Sequence, residues 1–308
     1  MERPVMRHAY RTTDVPVAGG ELRVGIWEPE GGATATVLLI HGVTASHLAW
    51  PFVVERLPGV RVIAPDLRGR GASGAVEGPA GMAAHADDLA AVLHALGIGS
   101  TLVVGHSMGA FVAVVLAHRH PERVRRLVLV DGGMPLAVPA GVAPEQLVQV
   151  ILGPVAERLS RRWTGVRQYT DEFWRPHPAF ARHWSDELEA YIAYDLVPDG
   201  DAFRAATRYE VMAEDTLDMN TGSALPDALD ALSVPTLLIT VPRGLQDEEP
   251  GLYPEQHLRS VLAAHPAVRH VRLDDLNHYT VVMSPAGAEA LGPLIREELS
   301  LAEPARST

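Results

Sequence analysis

Residues 36–40, Thr-Val-Leu-Leu-Ile, form a short run that is mostly β-branched or leucine. Such a run is too short for a helix of its own. Its unbroken apolar character means burial on both faces, the condition of a strand inside a parallel sheet. Similar runs recur at 60–64, 101–104, 127–130, 236–240 and 270–273, and 21–28 alternates weakly as a further strand. Between them, 82–96 is rich in Ala and Leu, with Asp87 and Asp88 expected on its outer side. Residues 110–118 form a second helical pattern, ended by His120-Pro121. Strands alternating with helices predict an α/β fold: a mostly parallel sheet with helices on both faces.

The alternation stops after Asp131. No strand-like run occurs between 134 and 233; helical patterns occupy 144–162, 187–196 and 202–214 instead. The chain is expected to divide into a core of residues 1–133 and 234–308 and a helical insertion, 134–233, lying over it as a lid. More than half of the Trp, Tyr and Phe residues fall in the insertion, from Trp163 to Tyr209. They either form its own core or wall an apolar pocket. Trp163, Trp174 and Trp184 are the candidates for substrate contact.

Charge and composition remove several function classes. The net charge is −12, so no basic face is expected for nucleic acid or an anionic membrane. All 26 basic residues are Arg, which excludes a Schiff-base lysine and a Walker-type phosphate loop. There is no Cys, hence no disulfide, thiolate catalysis or Cys-bound metal. The longest apolar run, 111–117, is far short of a membrane span. The first twenty residues carry Arg3, Arg7 and Arg11 without a following apolar core, so a secretory signal is not expected and a cytoplasmic location is. The last residues, 302–308, are expected to fray.

The chemistry centres on Gly105-His106-Ser107-Met108-Gly109, which follows a strand and opens a helix. That is the setting of a nucleophile elbow: small flanking residues permit a tight turn that exposes a strained serine hydroxyl above the sheet. Upstream, Ile40-His41-Gly42-Val43 ends a strand. The backbone N–H groups of Val43 and Met108 can form an oxyanion hole. Asp66-Leu67-Arg68-Gly69-Arg70-Gly71-Ala72-Ser73 reads as a Gly-rich structural turn, since no phosphate-binding frame fits it.

With these pieces the chain resembles the α/β-hydrolase superfamily over nearly its whole length, including an inserted cap. The resemblance implies the order Ser, acid, His, with the histidine in the loop after the last strand. His278, in Leu273-Asp-Asp-Leu-Asn277-His278-Tyr279, matches that place. Asn277 stands where the family usually has Gly, a departure that Asn can absorb if the backbone is unusual there. Two acids compete. Asp131 ends the 127–130 strand, where haloalkane dehalogenases and some lactonases place theirs. Asp247 follows the next strand, the commoner place, but sits three residues late. Among the other histidines, His106 holds the elbow's variable position and His118 and His120 end a helix. His177 and His183 fall in the insertion, where they reach substrate or solvent. No metal-ligand spacing and no cofactor motif is present. The implied function is a metal-free serine hydrolase working through an acyl-enzyme, and the aromatic insertion suggests a medium-sized, largely apolar carboxylic ester or lactone. Carbon–carbon bond hydrolysis, acyl transfer, perhydrolysis and ligand binding without catalysis remain alternatives on the same scaffold.

Overall fold

The apolar runs become the strands of one eight-stranded sheet in a computed structural model, which describes residues 8–137, 146, 153 and 155–302. Its strands are β1 (His8–Val17), β2 (Gly20–Pro29), β3 (Ala35–Ile40), β4 (Val60–Pro65), β5 (Thr101–His106) and β6 (Val124–Val130). After a separate hairpin of β7 (Leu196–Asp199) and β8 (Ala202–Ala205) come β9 (Thr236–Thr240) and β10 (Arg269–Arg272). The order is β1-β2-β4-β3-β5-β6-β9-β10. Every pair from β4 to β10 is parallel; β1–β2 and β2–β4 are antiparallel. β1 has no apolar run because it is an edge strand with mostly exposed side chains, held by its ladder to β2.

The helices include α1 (Pro51–Glu55), α2 (Met82–Ala95), α3 (Met108–Arg119), α4 (Asp186–Tyr194), α5 (Tyr209–Thr221), α6 (Ala224–Asp230), α7 (Glu255–Ala264) and α8 (Pro285–Ala302). The pleat sorts each apolar run between two cores. In β3, Leu38 and Ile40 pack with α2 and α3, whereas Val37 and Leu39 pack with α1 and α8. This is why the strands read as continuous: both faces are covered. Among the described residues, no helix is long and apolar enough to cross a membrane.

The inserted segment departs from the expected all-helical pattern. β7 and β8 pair around Gly200, and Phe203 exchanges two backbone hydrogen bonds of 2.8 Å with Trp163. The single helix expected over 202–214 therefore begins only at Tyr209. Pro198-Asp-Gly-Asp supplies turn residues that break the helical pattern there. α4 covers most of the expected 187–196 pattern, starting one residue earlier. Nearly half of the 144–162 pattern, the extreme N-terminus and the tail after Ala302 lie outside the described residues, while 155–160 is helical as expected. α6 packs on α3 through Leu225, Ala228 and Leu229, so the end of the insertion joins the core. The insertion's buried aromatics are continuous with the α1–α8 core and do not form a separate one.

The 66–73 loop is held from below. Arg68 makes a two-pronged ion pair with Asp88 of α2, 2.8 Å at both oxygens, and donates to the carbonyls of Pro79 and Ala18. Asp88, expected on the outer side of its helix, is thus buried; a partner from a distant loop makes the burial possible. Removing one member of a buried pair strands the other charge. Asp88→Ala is expected to lower stability by about 3–5 kcal/mol, read as a lower urea midpoint at unchanged slope. A midpoint within error of wild type would contradict this account of the loop.

Candidate active site

Ser107 sits between β5 and α3 with φ 54° and ψ −126°, a backbone conformation that costs energy for any residue with a side chain. The chain accepts it because neighbouring segments press from both sides. A Cβ on Gly109 would lie 2.2 Å from the carbonyl oxygen of Ile40. A Cβ on Gly132 would lie 2.3 Å from the carbonyl oxygen of Ser107. The serine backbone N–H donates to Val130 at 3.0 Å, tying the elbow to the end of β6.

The sheet and the late loop bring three predicted residues into one line. His278 Nε2 lies 3.0 Å from Ser107 Oγ, and His278 Nδ1 lies 2.7 Å from Asp131 Oδ2. Asp131 is fully buried and also has a positive φ, 46°. Its N–H donates to Ile239 at 2.7 Å, which fixes the carboxylate at the sheet edge. Asp247, the rival acid, does not reach His278. It accepts from Arg243 Nε at 2.7 Å and from Asn277 Nδ2 at 2.9 Å.

Asn277 plays a different part from the one its place in the sequence suggested. The positive φ in this loop falls on Asp275. Asn277 instead acts through its amide: Oδ1 accepts the N–H of Thr280 at 2.8 Å, and Nδ2 donates to the carbonyl of Ala179 at 3.0 Å. His106 was legible only as a variable position; its Nε2–H donates to the carbonyl of His278 at 2.8 Å, holding the histidine loop over the elbow. Burial, then the adjacent His278, keeps the His106 imidazole well below the ordinary histidine range and so neutral.

Val43 and Met108 flank the serine. Neither N–H donates to a protein acceptor among the described residues, and that of Met108 opens α3, where no intrahelical partner exists. His41 sets this turn. Its Nδ1 donates to the carbonyl of Gly42 at 2.8 Å, while its Nε2 accepts the N–H of Leu67 at 3.0 Å. A proton on Nε2 would face that N–H. Burial pushes the imidazole down to about 4. Asp66, also buried, accepts from the backbone N–H and Nδ1 of His47 and from Tyr194 of α4. Burial would raise its carboxyl, but those bonds hold it below the usual range.

Of the three tryptophans, none hydrogen-bonds to Ser107 or stacks on His278 among the described residues. Trp163 is buried against Tyr169, with Arg161 over its ring. Trp184 lies at the surface, its indole N–H on Glu189 and Arg175 stacked 4.4 Å above it. Trp174 is buried and reaches the site indirectly: it meets His177, His177 meets Tyr279, and Tyr279 meets His278. His177 is accordingly buried, not solvated, and burial and then Arg158 push it down to about 4.

Comparison with known proteins agrees with the fold. A family model described as the alpha/beta hydrolase fold matches residues 35–189, half of the chain. Lipase LipV of Mycobacterium tuberculosis is 40% identical over 116 residues, 38% of this chain and 43% of that protein. The chain thus spans less than half the length of the curated relatives it matches. An esterase of Thermogutta terrifontis superposes with a TM-score of 0.68 at 26% identity, over 96% of this chain and 100% of that one. The thioesterase domain from the curacin biosynthetic pathway superposes at 0.72 with 23% identity, over 94% and 99%, a likeness of fold alone.

His41 and His177 give a pH prediction. Each titrates near ~6.5 in an unfolded chain, but only at about 4 in the fold. Between those values the unfolded chain binds protons that the native state refuses, so stability falls as pH falls. The free energy of unfolding is expected to drop from pH ~6.5 toward pH ~4, by up to about 1.4 kcal/mol per pH unit for each such proton. His41→Asn should make the slope shallower by roughly one proton. Urea titrations across this range that gave a flat or rising stability would refute the assignment.

Proposed function

The chain belongs to the alpha/beta hydrolase family, and from that premise we propose that it is a serine hydrolase of carboxylic esters or lactones, working without a metal. The observation that carries the reading is the continuous contact from Ser107 through His278 to Asp131, at 3.0 and 2.7 Å. Ser107 Oγ attacks the carbonyl carbon and gives its proton to His278 Nε2. Asp131 accepts from Nδ1–H, which fixes the tautomer with Nε2 free and stabilises the imidazolium that forms. The N–H groups of Val43 and Met108 receive the developing oxyanion. Collapse expels the alcohol, which takes the proton back from His278. Water then repeats the sequence on the acyl-serine and releases the acid.

In this reading the inserted segment is a cap, and its aromatic lining suits a largely apolar acyl or alcohol group. Phe180 and His177 pack on Tyr279, the residue after the base, and Phe173 packs on His177. The lipase- and esterase-named relatives support an ester substrate. The buried position of Asp131 supports it over Asp247 as the acid.

Activity on short chromogenic esters tests these roles. Ser107→Ala is expected to lose about 10⁴-fold or more in kcat while keeping its melting curve. Asp131→Asn is expected to lose about 10⁴-fold, because an amide that donates to Nδ1 leaves the proton on the wrong nitrogen. Asp247→Asn keeps an acceptor for Arg243 and is expected to lose less than about tenfold, in line with a half-exposed ion pair. The reverse ranking of the two Asn variants would transfer the acid role to Asp247.

A further inference from the structure

The 66–73 loop carries a second buried arginine that the triad does not use. Resting on the reading of Ser107 as nucleophile, we propose that Arg70 is a positioning residue for both oxyanion donors, itself held in place by Asp215 of α5. The geometry is specific. Arg70 is fully buried, and each part of its guanidinium has a separate partner. Nε donates to the carbonyl of Val43 at 2.9 Å. Nη1 donates to the carbonyl of Arg68 at 2.9 Å and to Asp215 Oδ2. Nη2 lies 3.8 Å from the sulfur of Met108. One side chain therefore touches both residues assigned as oxyanion donors.

The consequence follows from peptide geometry. The N–H of Val43 shares a planar unit with the carbonyl of Gly42, which His41 Nδ1 holds. The carbonyl of Val43 belongs to the next unit, which Arg70 holds. With the peptide units on both sides of Val43 pinned, its N–H has one direction. Donors fixed before the reaction need no reorganisation when charge develops, and that is the condition for stabilising a transition state. Lysine could not replace Arg70: a single ammonium cannot reach Val43 and Asp215 from opposite sides as a planar fork does.

Asp215 keeps the fork in register. Its carboxylate, fully buried, also accepts from the N–H of Gly81 at 2.6 Å and from His85 Nε2 at 2.9 Å. Burial works against the charged form, but Arg70 and then His85 outweigh it and keep the carboxyl ionised. α5 grips the same loop through its backbone as well, since Arg208 donates its N–H to Gly69 at 2.9 Å and Val211 packs over Gly69. The seating of α5 and the aim of the oxyanion donors thus pass through one guanidinium.

The test compares wild type with Arg70→Lys, Arg70→Met and Asp215→Asn in ester hydrolysis and in inhibition by phenylboronic acid, whose serine adduct is tetrahedral and anionic. Arg70→Lys keeps the charge beside Asp215, so it remains a fair test if Arg70→Met fails to fold. Both Arg70 variants are expected to lower kcat by roughly 10- to 100-fold, less than deletion of a whole donor. KM is expected to stay within about threefold, boronate affinity to fall in proportion to kcat, and the shape of the pH profile to be unchanged, because Arg70 does not touch His278. Asp215→Asn is expected to show a smaller loss of the same kind. An active wild type with an equally active, equally boronate-sensitive Arg70→Lys overturns this inference alone, as does a loss confined to melting temperature or a shifted pH profile. A wild type that neither hydrolyses esters nor binds the boronate overturns the reading of the site, and this inference with it.

Discussion

The whole arrangement depends on how closely three strand ends approach at Ser107. The elbow between β5 and α3 is squeezed against the carbonyl of Ile40 on one side and by the chain passing at Gly132 on the other. A side chain at Gly109 or Gly132 would force the strands apart. Close packing here converts ordinary parallel pairing into a strained serine with φ 54°. It also brings the segments that follow β3 and β6, at Gly42 and Gly132, against Ser107. The site exists because β3, β5 and β6 are hydrogen-bonded neighbours in the sheet.

Buried charge then fixes what the backbone leaves free. The loop from Asp66 to Ser73 carries Asp66, Arg68 and Arg70, and each is buried against a partner from a different part of the chain. Asp66 meets His47 and Tyr194, Arg68 meets Asp88, and Arg70 meets Asp215. Charges taken out of water are costly unless paired and hydrogen-bonded, so each pair specifies one arrangement of its segments. Tyr194 and Asp215 come from the inserted segment, and they help key the segment to the turn beside Val43. A chain without lysine suits this design, because arginine can satisfy several acceptors at once.

Much of this was legible from residue patterns, and the failures have physical reasons. The apolar runs located β3, β4, β5, β6 and β9 to within a few residues, because burial on both faces leaves an unmistakable trace. The elbow and His278 stood out because their flanking residues are constrained by tight turns. The partner of His278 did not. It depended on where the loop after β9 travels, and that path is set by Arg243, whose carbonyl accepts the N–H of His278 while its guanidinium occupies Asp247. Asp88 was misplaced because helix periodicity cannot see a partner arriving from another loop. β7 and β8 were missed because so short a hairpin, with polar residues on its turn, imitates a helical pattern. Arg70 lay hidden in a Gly-rich turn whose glycines drew attention away from its charges.

The account rests on one claim, that Ser107 is the nucleophile of a covalent mechanism. The most direct measurement is to treat the folded protein with a fluorophosphonate, record the intact mass, and map the adduct by peptide sequencing. The account predicts a single phosphonyl addition, located on Ser107 and prevented by His278→Ala. A folded protein that takes up no label, or one that carries it on a different residue with Ser107 unmodified, would contradict it.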